Sequence, residues 1–239
     1  MNQPLHTVRF PGESHAYRVA RDRLLRAEME LRQQVEAIAA LRRALPLGGP
    51  VPVDYSFDDE GNTPLDTDIE RQTRLSELFE EGKDSLVVYN FMFGPAMAQP
   101  CPSCSSILDA LDAEIPHLRQ RTNVAVVAKS PIQRIRHFAR ERGWRHLHLL
   151  SSAHNTYNTD YHGETADGRQ MPALNVFTRH DGQIHHTWGS ELMFVPAEPG
   201  QDPRHVDPIW PLWNVLDYTP EGRSADWRPS LTYGDEAKR

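Results

Sequence analysis

Both cysteines of this 239-residue chain fall in one tetrapeptide, Cys101-Pro102-Ser103-Cys104. Its surroundings limit the possible folds more than any other feature. Upstream, Ser85 to Phe93 (Ser-Leu-Val-Val-Tyr-Asn-Phe-Met-Phe) is apolar almost throughout, which predicts a central strand covered on both faces. A loop, Gly94 to Pro100, separates it from the cysteines. Downstream, Ile107, Leu108, Leu111, Ile115 and Leu118 have helical spacing, and Pro116 is expected to kink that helix. Two cysteines cannot staple a disulfide scaffold, and a chain of this length needs none. Cysteines three apart at a helix entrance point to redox chemistry or to half of a metal site. A thiol just before a helix meets free backbone N–H groups and the positive end of the helix dipole. Cys101 should therefore ionise below the free-thiol value of about 8.5. Pro102 suits the first helical position, where its missing N–H costs nothing. Cys104, one turn further in, is within disulfide reach, so the pair reads as nucleophile (Cys101) and resolving partner (Cys104).

The remaining elements follow from periodicity and breakers. Leu24, Leu31, Ile38 and Leu45 recur every seven residues in an amphipathic helix over 16–45, which either packs on its own domain or serves as a dimer arm. Val51, Val53, Tyr55 and Phe57 alternate as in an edge strand, followed by a turn at 58–62 and a short helix at 74–80. Asn123–Ala128 predicts a second buried strand, Ile132 to Phe138 a helix closed by Gly143, and Leu147–Leu150 a third strand. Residues 151–170 show no element. Ala173–Thr178 and Gln183–Trp188 flank Asp181-Gly182, a hairpin turn signal. Order and type predict an α/β fold, a mixed sheet with helices on its faces. Tyr89, Phe91, Phe93, Trp144 and Trp188 read as core. In the tail, Pro208–Leu216 predicts one or two helical turns, Trp210 and Trp213 either pin the tail or cover the cysteines, and the final ten residues are expected to be mobile.

Composition excludes several classes. A net charge of −7 argues against nucleic acid as a partner, and the basic run Arg134, Arg136, Arg140, Arg142 and Arg145 reads as a solvated helix face. No apolar run approaches the roughly 18 residues of a membrane span, and the N-terminus lacks a signal-peptide layout, so the expected location is cytoplasmic. A zinc site normally takes four ligands. Without a second cysteine pair these would have to include His146, His148, His154, His162, His185 or His186, and no metal is expected. No nicotinamide or flavin motif is present, so no cofactor is expected either.

The stretch from Leu86 to about Trp188 resembles the thioredoxin superfamily. The upstream pattern Tyr55-x-Phe57, Gly61, Leu75-x-x-Leu78-Phe79 and Gly82-Lys83 is similar to its peroxiredoxin-like branch. More closely, the chain resembles the thioredoxin-like "domain of unknown function 899" family. That likeness rests on Arg42-Arg43-Ala44-Leu45-Pro46, Asp54-Tyr55-x-Phe57, Tyr89-x-Phe91-Met92-Phe93-Gly94-Pro95, the cysteine tetrapeptide and Leu216-Asp217-Tyr218-Thr219-Pro220-x-Gly222-Arg223. The resemblance implies a thioredoxin-like fold with additions at both ends. In such folds the proline at a strand entrance, here Pro172 after Met171, is cis and lies against the active-site disulfide. Met171, Pro172 and Pro102 are thereby expected in the substrate groove. Peroxiredoxins place Pro-x-x-x-Thr-x-x-Cys around the peroxide-reducing cysteine. Here Pro95 precedes Cys101 by six residues, and Gln99 stands where the hydroxyl is wanted.

The expected organisation is a helical extension over 1–50, a thioredoxin-like domain over 51–194, and a C-terminal extension over 195–239. The expected activity is thiol–disulfide exchange through Cys101 and Cys104, with a disulfide substrate or a dithiol electron donor as partner; a homodimer through the first helix is the alternative to that helix packing on its own domain. The alternatives are peroxide reduction by Cys101 and a non-enzymatic interaction protein.

Overall fold

The computed structural model describes residues 5–59, 71–199, 201–223 and 226–233. Most of the turn expected at 58–62, and the last six of the ten tail residues expected to be mobile, lie outside them. The chain divides into two compact units, residues 1–46 and 47–239.

The first unit is dominated by α1 (His15–Arg43), whose N-cap Ser14 accepts a hydrogen bond from the Tyr17 N–H at 3.1 Å. Arg18 is buried and donates to Glu13 and Asp22. The heptad residues Leu24, Leu31 and Ile38, with Leu41, are exposed.

The second unit is built on a seven-stranded sheet of β1 (Ser56–Asp59), β2 (Arg71–Arg74), β3 (Ser85–Asn90), β4 (Asn123–Ala128), β5 (Leu149–Ser151), β6 (Ala173–His180) and β7 (Gln183–Gly189). The spatial order is β2-β1-β5-β4-β3-β6-β7. β3, β4 and β5 run parallel, and the outer strands join antiparallel. Helices α2 (Pro102–Leu118), α3 (Ile132–Arg142), α4 (Tyr157–Asp160) and α5 (Pro211–Leu216) complete it. This is the mixed, helix-flanked thioredoxin-like sheet.

The two-residue period of the central strands builds two cores. Tyr89, Phe91, Val124, Val126 and Leu149 face α2 and α3, meeting Ile107, Leu108, Ile115, Ile135 and Phe138. Leu86, Val88, Ala125, Val127 and Leu150 face the other way, onto Tyr55, Phe57, Phe79, Tyr157 and Phe177. All six β4 residues are buried, as a strand covered on both faces requires. Phe93 and Trp144 also lie in the first core, whereas Trp188 is only half-buried, because β7 is an edge strand.

Several boundaries depart from expectation for tertiary reasons. The strand expected from Val51 does not form as one piece. Val51 donates to the Ile184 carbonyl at 2.8 Å on the β7 edge, while Ser56–Asp59 pair with β2 and β5 at the far side of the sheet. Gly48 runs so close to β7 that a Cβ would stand 1.8 Å from the His186 carbonyl oxygen. The helix expected at 74–80 is a single 3-10 turn, Leu75–Leu78. α2 runs through Pro116 to Leu118, since a proline in the last turn interrupts little. The 151–170 stretch does hold an element, α4, too short to show periodicity. Gly143 closes α3 at φ 76°, and Asp181-Gly182 turn the hairpin with both φ positive, 49° and 77°. The basic run is a solvated face only in part, at the exposed Arg140 and Arg145. Arg136 is buried, Arg142 pairs with Asp109, and Arg134 donates to the Pro95 and Met97 carbonyls at 3.1 and 2.6 Å.

Candidate functional site

Cys101 is the N-cap of α2 and Pro102 its first residue, as the sequence pattern predicts. The strand before it delivers it there. After β3 the backbone turns, and the Cys101 N–H donates to the Met92 carbonyl at 3.0 Å. The Cys101 carbonyl then accepts from the N–H and the hydroxyl of Ser105, both at 3.0 Å, which starts the helix. Cys101 is half-buried and Cys104 fully buried, and both are free thiols.

The two thiols are electrically unlike. The Cys104 thiol hydrogen-bonds the Cys101 sulfur, and the N–H groups of Cys104 and Ser103 with the Ser103 hydroxyl add to it. Against the opposing cost of burial, these bring Cys101 down to about 6. Burial pushes Cys104 well above the ordinary thiol range, and the bond to Cys101 adds to the rise. Behind the pair, the fully buried Tyr89 hydroxyl finds no oxygen or nitrogen partner and meets the Cys104 thiol. The shifts favour the thiolate at Cys101 and the neutral thiol at Cys104.

The other expected groove residues are placed unevenly. Met171 and Pro172 precede β6, and the Met171 N–H donates to the Gly163 carbonyl at 2.9 Å. The Met171–Pro172 bond is trans, whereas the resemblance implies cis at this position. Pro172 and Ser103 share the wall of a cavity of about 190 Å³, and Met171 does not line it.

The far wall of that cavity comes from the tail, including Val206, Trp210 and Trp213. Trp210 Nε1–H donates to Ser106 Oγ on α2 at 3.2 Å. Trp210 and Trp213 stack edge-on with centroids 5.3 Å apart, and Trp213 is buried. The tail is therefore both pinned to the motif helix and part of the cysteine environment. The two tryptophans were the only sequence signal for this. No local pattern names their partner.

Three of the six candidate histidines are held in other contacts, and His146, His154 and His162 are exposed. His148 Nε2 lies 3.0 Å from the buried Asp59, which also accepts from Thr73 and Arg71. His146 is exposed, so the two do not share a face. His185 Nδ1 lies 3.0 Å from the Gly48 carbonyl, and His186 Nε2 lies 2.9 Å from Asn175 Oδ1. Among the described residues, no group of three or more His, Cys, Asp or Glu side chains is gathered as a metal ion requires. Nor, among them, is any helix long and apolar enough to cross a membrane.

Sheet order and the dithiol at the N-terminus of α2 define a thioredoxin-like fold. Within that class, the chain belongs to the family described as bacterial protein of unknown function (DUF899), whose model matches residues 7–236. No curated protein matches it in sequence. Similar solved structures include the peroxidoxin BcpB of Mycobacterium tuberculosis, at 16% identity and a TM-score of 0.43, covering 72% of this chain and 98% of that one. The reduced 2-Cys peroxiredoxin of Plasmodium vivax gives 16% and 0.46, covering 72% and 96%. Thioredoxin peroxidase I of Plasmodium yoelii gives 16% and 0.44, covering 77% and 100%. The likeness is one of fold.

Proposed function

We propose that the protein is a thiol–disulfide oxidoreductase. The observation that carries this reading is the placement of the pair, with Cys101 half-buried at the N-cap of α2 and Cys104 fully buried one turn further in, which lowers the first thiol and raises the second. Only Cys101 is then a nucleophile at neutral pH, so attack has a direction. The Cys101 thiolate attacks one sulfur of a substrate disulfide, forms a mixed disulfide and expels the other half as a thiolate. Cys104 then gives up its proton, to that thiolate or to water, and its sulfur attacks Cys101. The Cys101–Cys104 bond forms and the second half leaves. The substrate gains two electrons, the dithiol loses two, and a cellular dithiol donor restores it. A reducing cytoplasm would keep the pair in the form described here.

Peroxide reduction by Cys101 has less support. Pro95 precedes Cys101 by six residues and Gln99 offers no hydroxyl.

The test is chemical trapping combined with a redox titration. Cys101→Ser should abolish disulfide reduction, and Cys104→Ser should accumulate a covalent adduct visible by mass spectrometry. The midpoint of the pair should fall between roughly −120 and −270 mV. An absence of adducts with any disulfide, or a midpoint below roughly −300 mV, would overturn the reading.

A further inference from the structure

The resolving step requires Cys104 to lose its proton inside the core, and the side chain placed to assist it is Tyr89. We propose that the Tyr89 hydroxyl is the hydrogen-bond donor that holds the Cys104 sulfur as a thiolate while it attacks the mixed disulfide. This deepens the oxidoreductase reading and rests on it.

The placement comes from β3 and α2. Tyr89 sits near the end of β3 and Cys104 in the first turn of α2, and both are buried in the first core. The Tyr89 hydroxyl has no oxygen or nitrogen partner and meets the Cys104 thiol. A thiol sulfur is a weak acceptor, so the hydroxyl is under-satisfied while Cys104 keeps its proton. Burying it in that state costs stability that a phenylalanine in the same core would not cost. The bond strengthens only when the sulfur carries a charge. Met92, just past β3, adds to the arrangement. Its carbonyl accepts from the Cys101 N–H at 3.0 Å, and its own N–H bonds the Cys104 sulfur. The carboxylates of α2 are engaged elsewhere or exposed. Asp109 accepts from Arg142 and Trp144, Asp112 accepts the three N–H groups of residues 145–147, and Glu114 faces solvent.

The chemistry assigns these donors to one step. In the mixed disulfide Cys101 carries no charge, so the neighbouring thiolate that opposed ionisation of Cys104 is gone. Burial still opposes it, and the Tyr89 O–H and the Met92 N–H offset that cost. The Cys104 proton goes to the first departing thiolate or to water. The Cys104 sulfur then attacks the Cys101 sulfur, and the second substrate half leaves as a thiolate as the Cys101–Cys104 bond forms. Burial keeps the Tyr89 hydroxyl well above the ordinary tyrosine range, so Tyr89 donates throughout and is not the base.

The test is a single turnover of the reduced protein with excess hydroxyethyl disulfide, quenched in acid and followed by mass spectrometry as dithiol, Cys101 adduct and internal disulfide. Tyr89→Phe keeps the ring and removes only the under-satisfied hydroxyl, so the fold is retained. Losing a hydrogen bond to a charged sulfur should make Cys104 about ten- to a hundredfold harder to ionise. A more basic thiolate is also the better nucleophile, and a Brønsted slope of roughly 0.4–0.5 returns about half of that loss on a logarithmic scale. Resolution should therefore slow by roughly three- to tenfold. At a probe concentration where the wild-type adduct is just measurable, its peak share should rise by the same factor. A rise of less than about twofold overturns the inference and leaves the oxidoreductase reading standing. If the wild type forms neither adduct nor internal disulfide, that reading falls. Tyr89 is then judged without turnover, by ¹³C NMR titration of the Cys104 Cβ in Cys101→Ser and in Cys101→Ser/Tyr89→Phe. A titration moved to higher pH by Tyr89→Phe supports the donor, and superimposable titrations overturn it.

Discussion

Replacing Cys104 with alanine should raise the pKa of Cys101, and the size of the rise tests how the site works. The largest influence lowering Cys101 is the hydrogen bond from the Cys104 thiol, ahead of the amides of Ser103 and Cys104. A hydrogen bond to a charged group contributes about 1.5–3 kcal/mol, and one pKa unit corresponds to about 1.4 kcal/mol. Removing the donor should therefore move Cys101 up by about 1–2 units, from about 6 toward about 7–8. At pH 7 the thiolate share would fall from about nine-tenths to about a quarter at the middle of that range. The assay is the pH dependence of iodoacetamide alkylation, or of thiolate absorbance near 240 nm. In the variant a single cysteine remains, and in the wild type the raised Cys104 is silent over the same range. Cys104→Ser keeps a hydroxyl donor and should retain most of the depression, whereas Ser103→Ala should change it less than Cys104→Ala does. A wild-type midpoint near 8.5 would refute the geometry altogether. A Cys104→Ala midpoint still near 6 would show that the helix terminus alone sets the pKa, and the assignment of the Cys104 donor would fail.

Further perturbations probe the frame around the site. Because Cys101 is depressed on folding, its thiolate stabilises the reduced protein above the free-thiol pKa, and this is lost as pH falls through about 6. The stability difference between wild type and Cys101→Ser, measured by urea melts of the reduced proteins, should shrink over that window; a flat difference would contradict it. Asp112 Oδ1 accepts the N–H groups of Arg145, His146 and Leu147 at 2.9, 2.8 and 3.0 Å, clamping α2 to the entry of β5. Asp112→Ala should cost about 2–4 kcal/mol in chemical denaturation, and a loss under about 0.5 kcal/mol would mean that water replaces the carboxylate. At Gly163 an added Cβ would stand 2.0 Å from Asn90 Nδ2, so Gly163→Ala should cost about 1–3 kcal/mol, seen as a lower melting temperature. The exposed heptad face of α1 predicts a homodimer. Sedimentation equilibrium should show wild-type dimers and Leu31→Glu monomers, and a monomeric wild type at tens of micromolar would remove the dimer-arm reading.

The parts of this protein legible in sequence are those whose physics is local. Cys101 caps α2 because the apolar strand, the proline at the first helical position and the helical spacing lie within a few dozen residues of one another. β4 spans Asn123–Ala128 because the five apolar residues Val124 to Ala128 suit a strand with no exposed face. Gly143 and Asp181-Gly182 mark their turns because they tolerate positive φ. Only the tertiary structure decided which distant residues meet. His148 and Asp59 are 89 positions apart, and Trp210 and Ser106 are 104 apart. Burial likewise makes Arg136 part of the interior although its sequence neighbourhood reads as a charged surface. The short distance between Cys101 and Cys104 was written in their spacing. The unequal acidity of the two thiols was only half written there. The helix terminus lowers one thiol from local geometry, but raising the other takes a core assembled from β3, α2 and their neighbours. The cavity wall formed by the tail has the same origin. A side chain's periodicity encodes the face it lies on, and the partner that covers that face is chosen by the packing of the whole unit.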